Sequence, residues 1–457
     1  MNALIFSALS GVIMMFSSFM LDRKNNVRGL AIFLMLAIVV VSILELRGIT
    51  LFHIDTKGLM YFDRFALLFI LVVNICTMAF FLLSAEDMEK VGVNYSDYFA
   101  LIFFVLSGVA IAASFKSLLM LFLGIEIISI PLYILTGSDK RNLKSNEASL
   151  KYFLMGAFST GLMLMGIALI YGAVGSFNTG VASHVDDKLH LLMIAGMMLL
   201  LFSMSFKVSA APFHFWTPDV YDGSPTVFTS FMATIVKVAG FIAFMRLFND
   251  EFGDIMEAKW KLPVSIIAAA TLFIGNITAV FQQSVKRMLA YSSIAQAGFM
   301  MLAIYSLTAD AKEGLILYAA AYSLATIGIF AVLIKMEDYT FEGFNGFAKQ
   351  QPFIAAILVI FLLSLAGIPL TAGFLSKFYM LRATIDSGNT GLAIFAVLMA
   401  AVSVYYYFRL IQAMYFKEGK PKIIELKPGF KLTMLALAAI TILLGIFPNI
   451  LTNWLYF

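Results

Sequence analysis

The sequence predicts an all-α integral membrane protein of about fourteen transmembrane helices. Three observations carry that prediction. Of 457 residues, 61% are hydrophobic and 13% charged, against roughly 25% charged in an ordinary soluble domain. The apolar residues fall in long continuous runs, each near the ~20 residues a helix needs to cross hydrocarbon, whereas a transmembrane barrel would alternate in short segments. Little sequence lies between the runs, so no soluble catalytic domain fits. The net charge of +4 gives no footprint for nucleic acid, and the single cysteine, Cys76, excludes a site built from several thiolates in this chain.

The first three runs, 2–21, 29–46 and 59–84, form an N-terminal unit expected over residues 1–96. No basic stretch precedes the first run, so it is not read as a cleaved signal peptide. Asp63 and Arg64 open the third run as an interfacial ion pair, and Glu45 sits at a helix end where water reaches it. Runs four to eight are 97–114, 116–136, 149–174, 189–212 and 222–248; nine to thirteen are 262–283, 288–306, 313–335, 351–384 and 390–413. A last run covers 431–454, within a C-terminal unit expected at 431–457. Arg409, like Glu45, is expected to be wet.

The two middle groups resemble each other. Ser114-Phe-Lys116-Ser-Leu-Leu119 matches Ser284-Val-Lys286-Arg-Met-Leu289, and Glu147, Tyr152 and Thr160 match Glu313, Tyr318 and Thr326 in the same order. Five helices is an odd number, so the second copy (262–413) must insert upside down relative to the first (97–248). Such inverted repeats are frequent in ion-moving folds. The seventh and twelfth spans hold equivalent places, and both carry breakers: Pro212 in one, Gly367, Pro369 and Gly373 in the other. A mid-span proline frees a backbone carbonyl, which is tolerated in lipid where protein or a water-filled cavity satisfies it.

Lysine and arginine set the orientation. With the N-terminus outside, the odd-numbered loops carry 17 of the 31 basic residues, so both termini are expected away from the cytoplasm.

Charges inside hydrocarbon cost at least about 3 kcal/mol each and are functional candidates by default. Glu126 lies ten residues into the fifth span; Lys207 adjoins the first break, Lys237 is mid-way along the eighth span, and Lys377 follows the second break. A lysine amine in a low-dielectric site can release its proton near neutral pH, whereas arginine stays charged. The competing reading is that these lysines are static ion pairs or snorkel to an interface. Lys151 is three residues into its span, where that reading is equally good. His214 follows Pro212 and would suit a relay, although a satisfied buried histidine serves as well. His53, His184 and His190 fall at outer loops, and Tyr405, Tyr406 and Tyr407 are either interfacial or line a hydrated path.

Several of these motifs resemble a known family. Gly124-Ile-Glu126-Ile-Ile-Ser-Ile-Pro131, Lys207-Val-Ser-Ala-Ala-Pro212-Phe-His214-Phe-Trp216-Thr-Pro218-Asp219, Tyr291-Ser-Ser-Ile-Ala-Gln296-Ala-Gly298 and Gly367-Ile-Pro369 are similar to the antiporter-like membrane subunits of respiratory complex I. The similarity runs over nearly the whole chain, and Lys377 fits the N-type branch, where the M type usually has glutamate. The chain also stops after its last span, without the lateral helix of the L type. The resemblance implies that Glu126 pairs with Lys207, that Lys237 joins two half-channels with His214 or water, and that Lys377 exchanges protons with the far side. It also implies no redox cofactor here, with flavin, iron–sulfur clusters and quinone in partner subunits. Those partners would be the M- and L-type subunits, the small K, J, A and H types and a hydrophilic arm, within the lipid of a bacterial inner membrane. A subunit of a multi-subunit cation/proton antiporter, or of a membrane-bound hydrogenase, would share the same charges.

Overall fold

The computed structural model describes residues 1–21, 23–92, 94–180 and 190–456, without the side chains of His190, Gly253, Asp254 and Ile255. His184 therefore lies outside the described residues, as does the His190 side chain. Among the described residues the chain is helical, with isolated bridges in place of strands. Twelve helices among the described residues are long and apolar enough to cross a membrane.

The first six are α1 (Asn2–Met20), α2 (Lys24–Leu46), α3 (Arg64–Val91), α4 (Tyr95–Ser114), α5 (Leu118–Thr136) and α6 (Leu143–Val174). The expected seventh span is two pieces, α7 (His190–Lys207) and α8 (Trp216–Gly223). The eighth is α9 (Thr226–Phe231) and α10 (Lys237–Asp250), joined without a break in direction by one π turn, Met232–Val236. Then come α11 (Gly253–Val280), α12 (Val285–Ser306), α13 (Ala309–Leu333) and the short α14 (Phe347–Gln350). The expected twelfth span is also two pieces, α15 (Pro352–Ala366) and α16 (Ala372–Asp386). The chain ends with α17 (Thr390–Phe416), α18 (Pro428–Ile446) and the short α19 (Asn449–Thr452).

Local chemistry explains the boundaries. The Asp63 carboxylate accepts from the Ala66 amide at 2.9 Å and caps α3, while Thr308 caps α13 through the Ala311 amide at 3.2 Å; both satisfy donors that the first turn leaves unpaired. Pro352 opens α15, where its missing N–H costs nothing. Gly367 closes it in the left-handed region at φ 84°, which a side chain would strain.

Burial sorts the helices into layers. The most apolar stretch of α13 is 100% buried and that of Thr226–Asp250 94%, against 33–39% for α1, α2, α6, α17 and α18. The outer helices thus present one face to lipid, and α9–α10, α12 and α13 form an enclosed centre. Without a hydrophobic drive between helices in lipid, close packing relies on small residues. Gly166 of α6 and Gly196 of α7 meet this way: a Cβ on Gly166 would lie 2.9 Å from the Gly196 carbonyl oxygen.

Several peripheral expectations are corrected. Asp63 pairs with Arg246 at 3.2 Å rather than with its neighbour Arg64, because capping turns its carboxylate toward α10. Arg246 is buried, and also donates to the carbonyls of Ala113, Phe115 and Tyr61. Glu45 is buried against the Met1 amine and the Ala3 amide instead of wet. Arg409 is half-buried, donating to the Val280 and Gln282 carbonyls.

Candidate functional site

The breaks create the site. After α7 the chain leaves helical geometry at Ser209 (φ 63°) and passes a cis Ala211–Pro212 peptide before α8 begins. The Phe206 carbonyl takes the Trp216 indole N–H at 3.2 Å. After α15 the chain turns at Gly367 and Leu370. There the Leu365 carbonyl takes both the Lys377 ammonium at 2.7 Å and the Gln296 amide at 3.0 Å. Both interruptions thus leave carbonyls that side chains satisfy inside the protein, as an irregular backbone in lipid requires.

Lys207, the last residue of α7, reaches α5 and α6. Its ammonium stands 3.6 Å from Glu126 Oε1 and donates to Ser129 Oγ at 3.0 Å and Thr160 Oγ1 at 3.4 Å. Thr160 in turn donates to Glu126 Oε1 at 2.7 Å. The structure therefore brings together the two residues expected to pair, with a hydroxyl between them that both accepts and donates. Sequence reasoning missed Ser129 and Thr160 as contacts, although the i, i+3 spacing of Glu126 and Ser129 on one helix puts them on one face.

Lys237 begins α10, immediately after the π turn, and is 2% exposed. Single π turns often mark functional positions because they loosen the carbonyl ladder. Here the Tyr322 and Tyr221 hydroxyls donate to the Ala233 and Met232 carbonyls at 2.8 and 3.3 Å. The Lys237 ammonium donates to Ser293 Oγ at 2.9 Å and the Ser293 carbonyl at 3.0 Å, and lies 5.7 Å from the Tyr221 ring centroid. It forms no ion pair among the described residues.

Lys377, on α16 and 5% exposed, donates to the Leu365 and Ala366 carbonyls and faces the Phe299 ring at 4.4 Å. Between Lys237 and Lys377 runs a set of polar side chains, of which the sequence offers only Tyr407 as a residue that could line a hydrated path. Gln296 accepts from Tyr318 and donates to Tyr407 Oη at 3.0 Å; Tyr407 also bonds Ser292 at 2.5 Å. A small cavity lined by Gln296, Tyr318, Tyr322, Ser364 and Lys377 adjoins them. Of the tyrosine run, Tyr406 and Tyr407 are buried and Tyr405 is exposed.

The two further relay candidates lie elsewhere. His214 is half-buried in the α7–α8 connection, and its Nδ1 is buried with no hydrogen-bond partner among the described residues. Lys151 sits in the ninth position of α6, because the helix starts earlier than the apolar run. Its ammonium is open to solvent and bridges Glu147 at 2.8 Å and Asp219 at 3.0 Å. Asp219 also meets Arg287 at 3.1 Å, in a charged cleft of about 170 Å³. His53 stands in the α2–α3 connection, bonded to Thr50 at 2.9 Å.

Outside the spans, the buried carboxyl of Glu251 escaped sequence reasoning. Burial pushes it up from an ordinary 4.5 to about 7; the Gly180 amide, donating at 2.7 Å, opposes the shift, and the negative charge of Asp250 adds to it. Between pH 4.5 and 7 the folded protein holds a proton that the unfolded chain has lost, so stability falls as pH rises through that window and levels above it. The thermal midpoint of the purified chain should therefore drop across this range, and Glu251→Gln should flatten the profile. A wild-type profile already flat there rejects the assignment.

The described residues thus place three lysine amines inside a helical bundle that two interrupted helices cross. A family model described as NADH:quinone oxidoreductase/Mrp antiporter, transmembrane, matches residues 116–403. The fold is similar to a chain of respiratory complex I from Thermus thermophilus, at 30% identity and a TM-score of 0.86, covering 99% of this chain and 98% of that one. It is also similar to a chain of the membrane-bound sulfane sulfur reductase, an archaeal respiratory membrane complex, at 25% identity, a TM-score of 0.88, and 99% and 95% coverage. The NADH-quinone oxidoreductase subunit N of Cytophaga hutchinsonii is 40% identical over 99% of this chain and 98% of its own length. The chain belongs to the NADH-quinone oxidoreductase subunit N family.

Proposed function

We propose that the chain is the proton-translocating membrane subunit of a redox-driven NADH:quinone oxidoreductase. The observation that carries the reading is the Lys207–Glu126 pair beside a helix break, followed by two further enclosed lysines. Glu126 attracts the Lys207 ammonium. When a change in a neighbouring subunit alters that attraction, the Lys207 proton becomes free to pass inward. Lys237 holds it at the centre, through Ser293, and His214 or water closes the gap from Lys207. Ser293, Gln296, Tyr318 and Tyr407 carry hydrogen bonds toward Lys377, which exchanges with the far side. Lys151, held by Glu147 and Asp219 in the charged cleft, is the second relay candidate, at the surface.

In this reading there are fourteen spans, the two interrupted helices counting as one each, with inverted repeats over 97–248 and 262–413 between the units 1–96 and 431–457. The offset between Lys116 and Lys286 also relates Glu126 to Gln296, Lys207 to Lys377 and Lys237 to Tyr407. The second copy thus holds an amide where the first holds a carboxylate, which fits a terminal amine whose charge nothing locks in place. Both termini face away from the cytoplasm across a bacterial inner membrane. Electron transfer, with its flavin, iron–sulfur clusters and quinone, belongs to partner subunits, among them M-, L-, K-, J-, A- and H-type chains and a hydrophilic arm. The polypeptides that co-purify with the tagged chain test this assignment: flavin and iron–sulfur proteins are expected. Recovery of small antiporter subunits in their place would overturn it.

A further inference from the structure

Away from the line of amines, the ends of α2, α3 and α18 enclose a second charged site. Arg28, Glu86, Lys90, Glu425, Lys427 and the buried Lys335, itself paired with Asp87 at 2.6 Å, line a cavity of about 340 Å³. Directly below it, Val39, Ile75, Met78, Leu432, Ala436 and Ile440 line an apolar groove of about 380 Å³. Leu82, exposed on α3, borders both, so the charged cavity and the apolar groove adjoin there. The three helices agree on their combined depth. Arg28 to Val39, Glu86 to Ile75 and Gly429 to Ile440 each span eleven residues, or roughly 16 Å at the helical rise. That is about half of the ~30 Å hydrocarbon core, the depth of one leaflet.

The mouth carries charge of both signs with spare capacity. Lys427 uses one of its three donors, on Glu86 at 2.6 Å. Arg28 binds Glu89 at 3.2 Å and Asn25 at 2.8 Å, leaving further guanidinium N–H groups. Glu425 lines the mouth and has no ion-pair partner among the described residues. A basic pocket between transmembrane helices at headgroup depth suits a lipid phosphate, and a free carboxylate beside it suits an ammonium. A purely anionic head would leave Glu425 without a partner, since Glu86 is already held by Lys427, and a choline head has no N–H to donate.

We propose that this site binds one zwitterionic glycerophospholipid with an ethanolamine head. Its phosphodiester accepts from Arg28 and Lys427, its ammonium donates to Glu425, and an acyl chain follows α3 and α18 past Leu82 to Ile440. The site is independent of proton movement, since none of its residues belongs to the line of amines.

Native mass spectrometry of the full chain, equilibrated with vesicles of equal phosphatidylethanolamine, phosphatidylglycerol and phosphatidylcholine, reads the bound lipid directly. The ethanolamine lipid should be retained several-fold over its share. Ala436→Trp, at an exposed position, should cut retention several-fold by filling the groove, and Glu425→Gln should abolish the headgroup preference while lipid still binds. Equal retention of the three lipids by the unmodified chain overturns the proposal and needs no variant to fold. Unchanged retention by a folded Ala436→Trp chain overturns it too. So does cross-linking of Ala436→Cys to a neighbouring polypeptide in the intact assembly, which would make the groove a protein contact.

Discussion

Replacing Lys237 with methionine should lower proton translocation on the order of 10²-fold, the scale of losing a positioned proton carrier, while the amount of chain in the membrane stays unchanged. Methionine keeps most of the side-chain volume, so the enclosed centre around α10 and α12 keeps its packing. Ser293 is not orphaned, because its hydroxyl already donates to the Ala290 carbonyl at 2.7 Å. Lys237→Arg separates a carrier from a static charge: guanidinium retains the positive charge and does not give up its proton. It should therefore be as defective as Lys237→Met. Proton uptake into vesicles carrying the assembled complex is the measurement. Wild-type uptake by the arginine variant would reduce Lys237 to a fixed charge, and wild-type uptake by both variants would make the chain a scaffold.

The second large effect concerns Glu126 and Lys207. Glu126→Gln removes the charge but leaves an acceptor for the Thr160 hydroxyl, and Lys207→Met removes the ammonium from the same site. Each should slow translocation about tenfold, the equivalent of roughly 1.4 kcal/mol, without loss of assembly. Because the groups are 3.6 Å apart and share Thr160, the double variant should be no worse than the poorer single one. That corresponds to a coupling of about 1.4 kcal/mol. Strictly additive losses would show that the two act separately, and disappearance of the complex from the membrane in both single variants would assign them a structural role.

The four charged candidates stood out in the sequence because a charge within an apolar run is costly at that depth, with a static ion pair or snorkelling as the competing reading. Their neighbours did not. Ser129, Thr160, Ser293 and Gln296 are polar residues of ordinary type, and small hydroxyls recur throughout these helices; of the tyrosine run, the sequence could not say that Tyr407 and not Tyr405 turns inward. Only the approach of α5, α6 and α7, and of α12, α15, α16 and α17, shows which of them face an amine. The π turn before Lys237 was equally invisible, since Met232-Ala-Thr-Ile-Val236 reads as regular helix. Among the corrections, Asp63 and Arg64 are adjacent in sequence, yet a residue on α10 competes for the carboxylate. Lys151 looked like a shallow span residue because the apolar run hides the polar first turns of α6.

Composition and run length by themselves determined that this chain is a helical membrane protein, and breakers within two runs determined where its helices are interrupted. Both follow from a local rule: hydrocarbon supplies no hydrogen bonds, so the backbone must satisfy itself within each segment or expose its gaps to protein. Which side chains fill those gaps was decided by tertiary structure. A freed carbonyl such as that of Leu365 has no preference along the chain for Lys377 over any other donor; it takes the amine and the amide that helix packing carries within 3 Å.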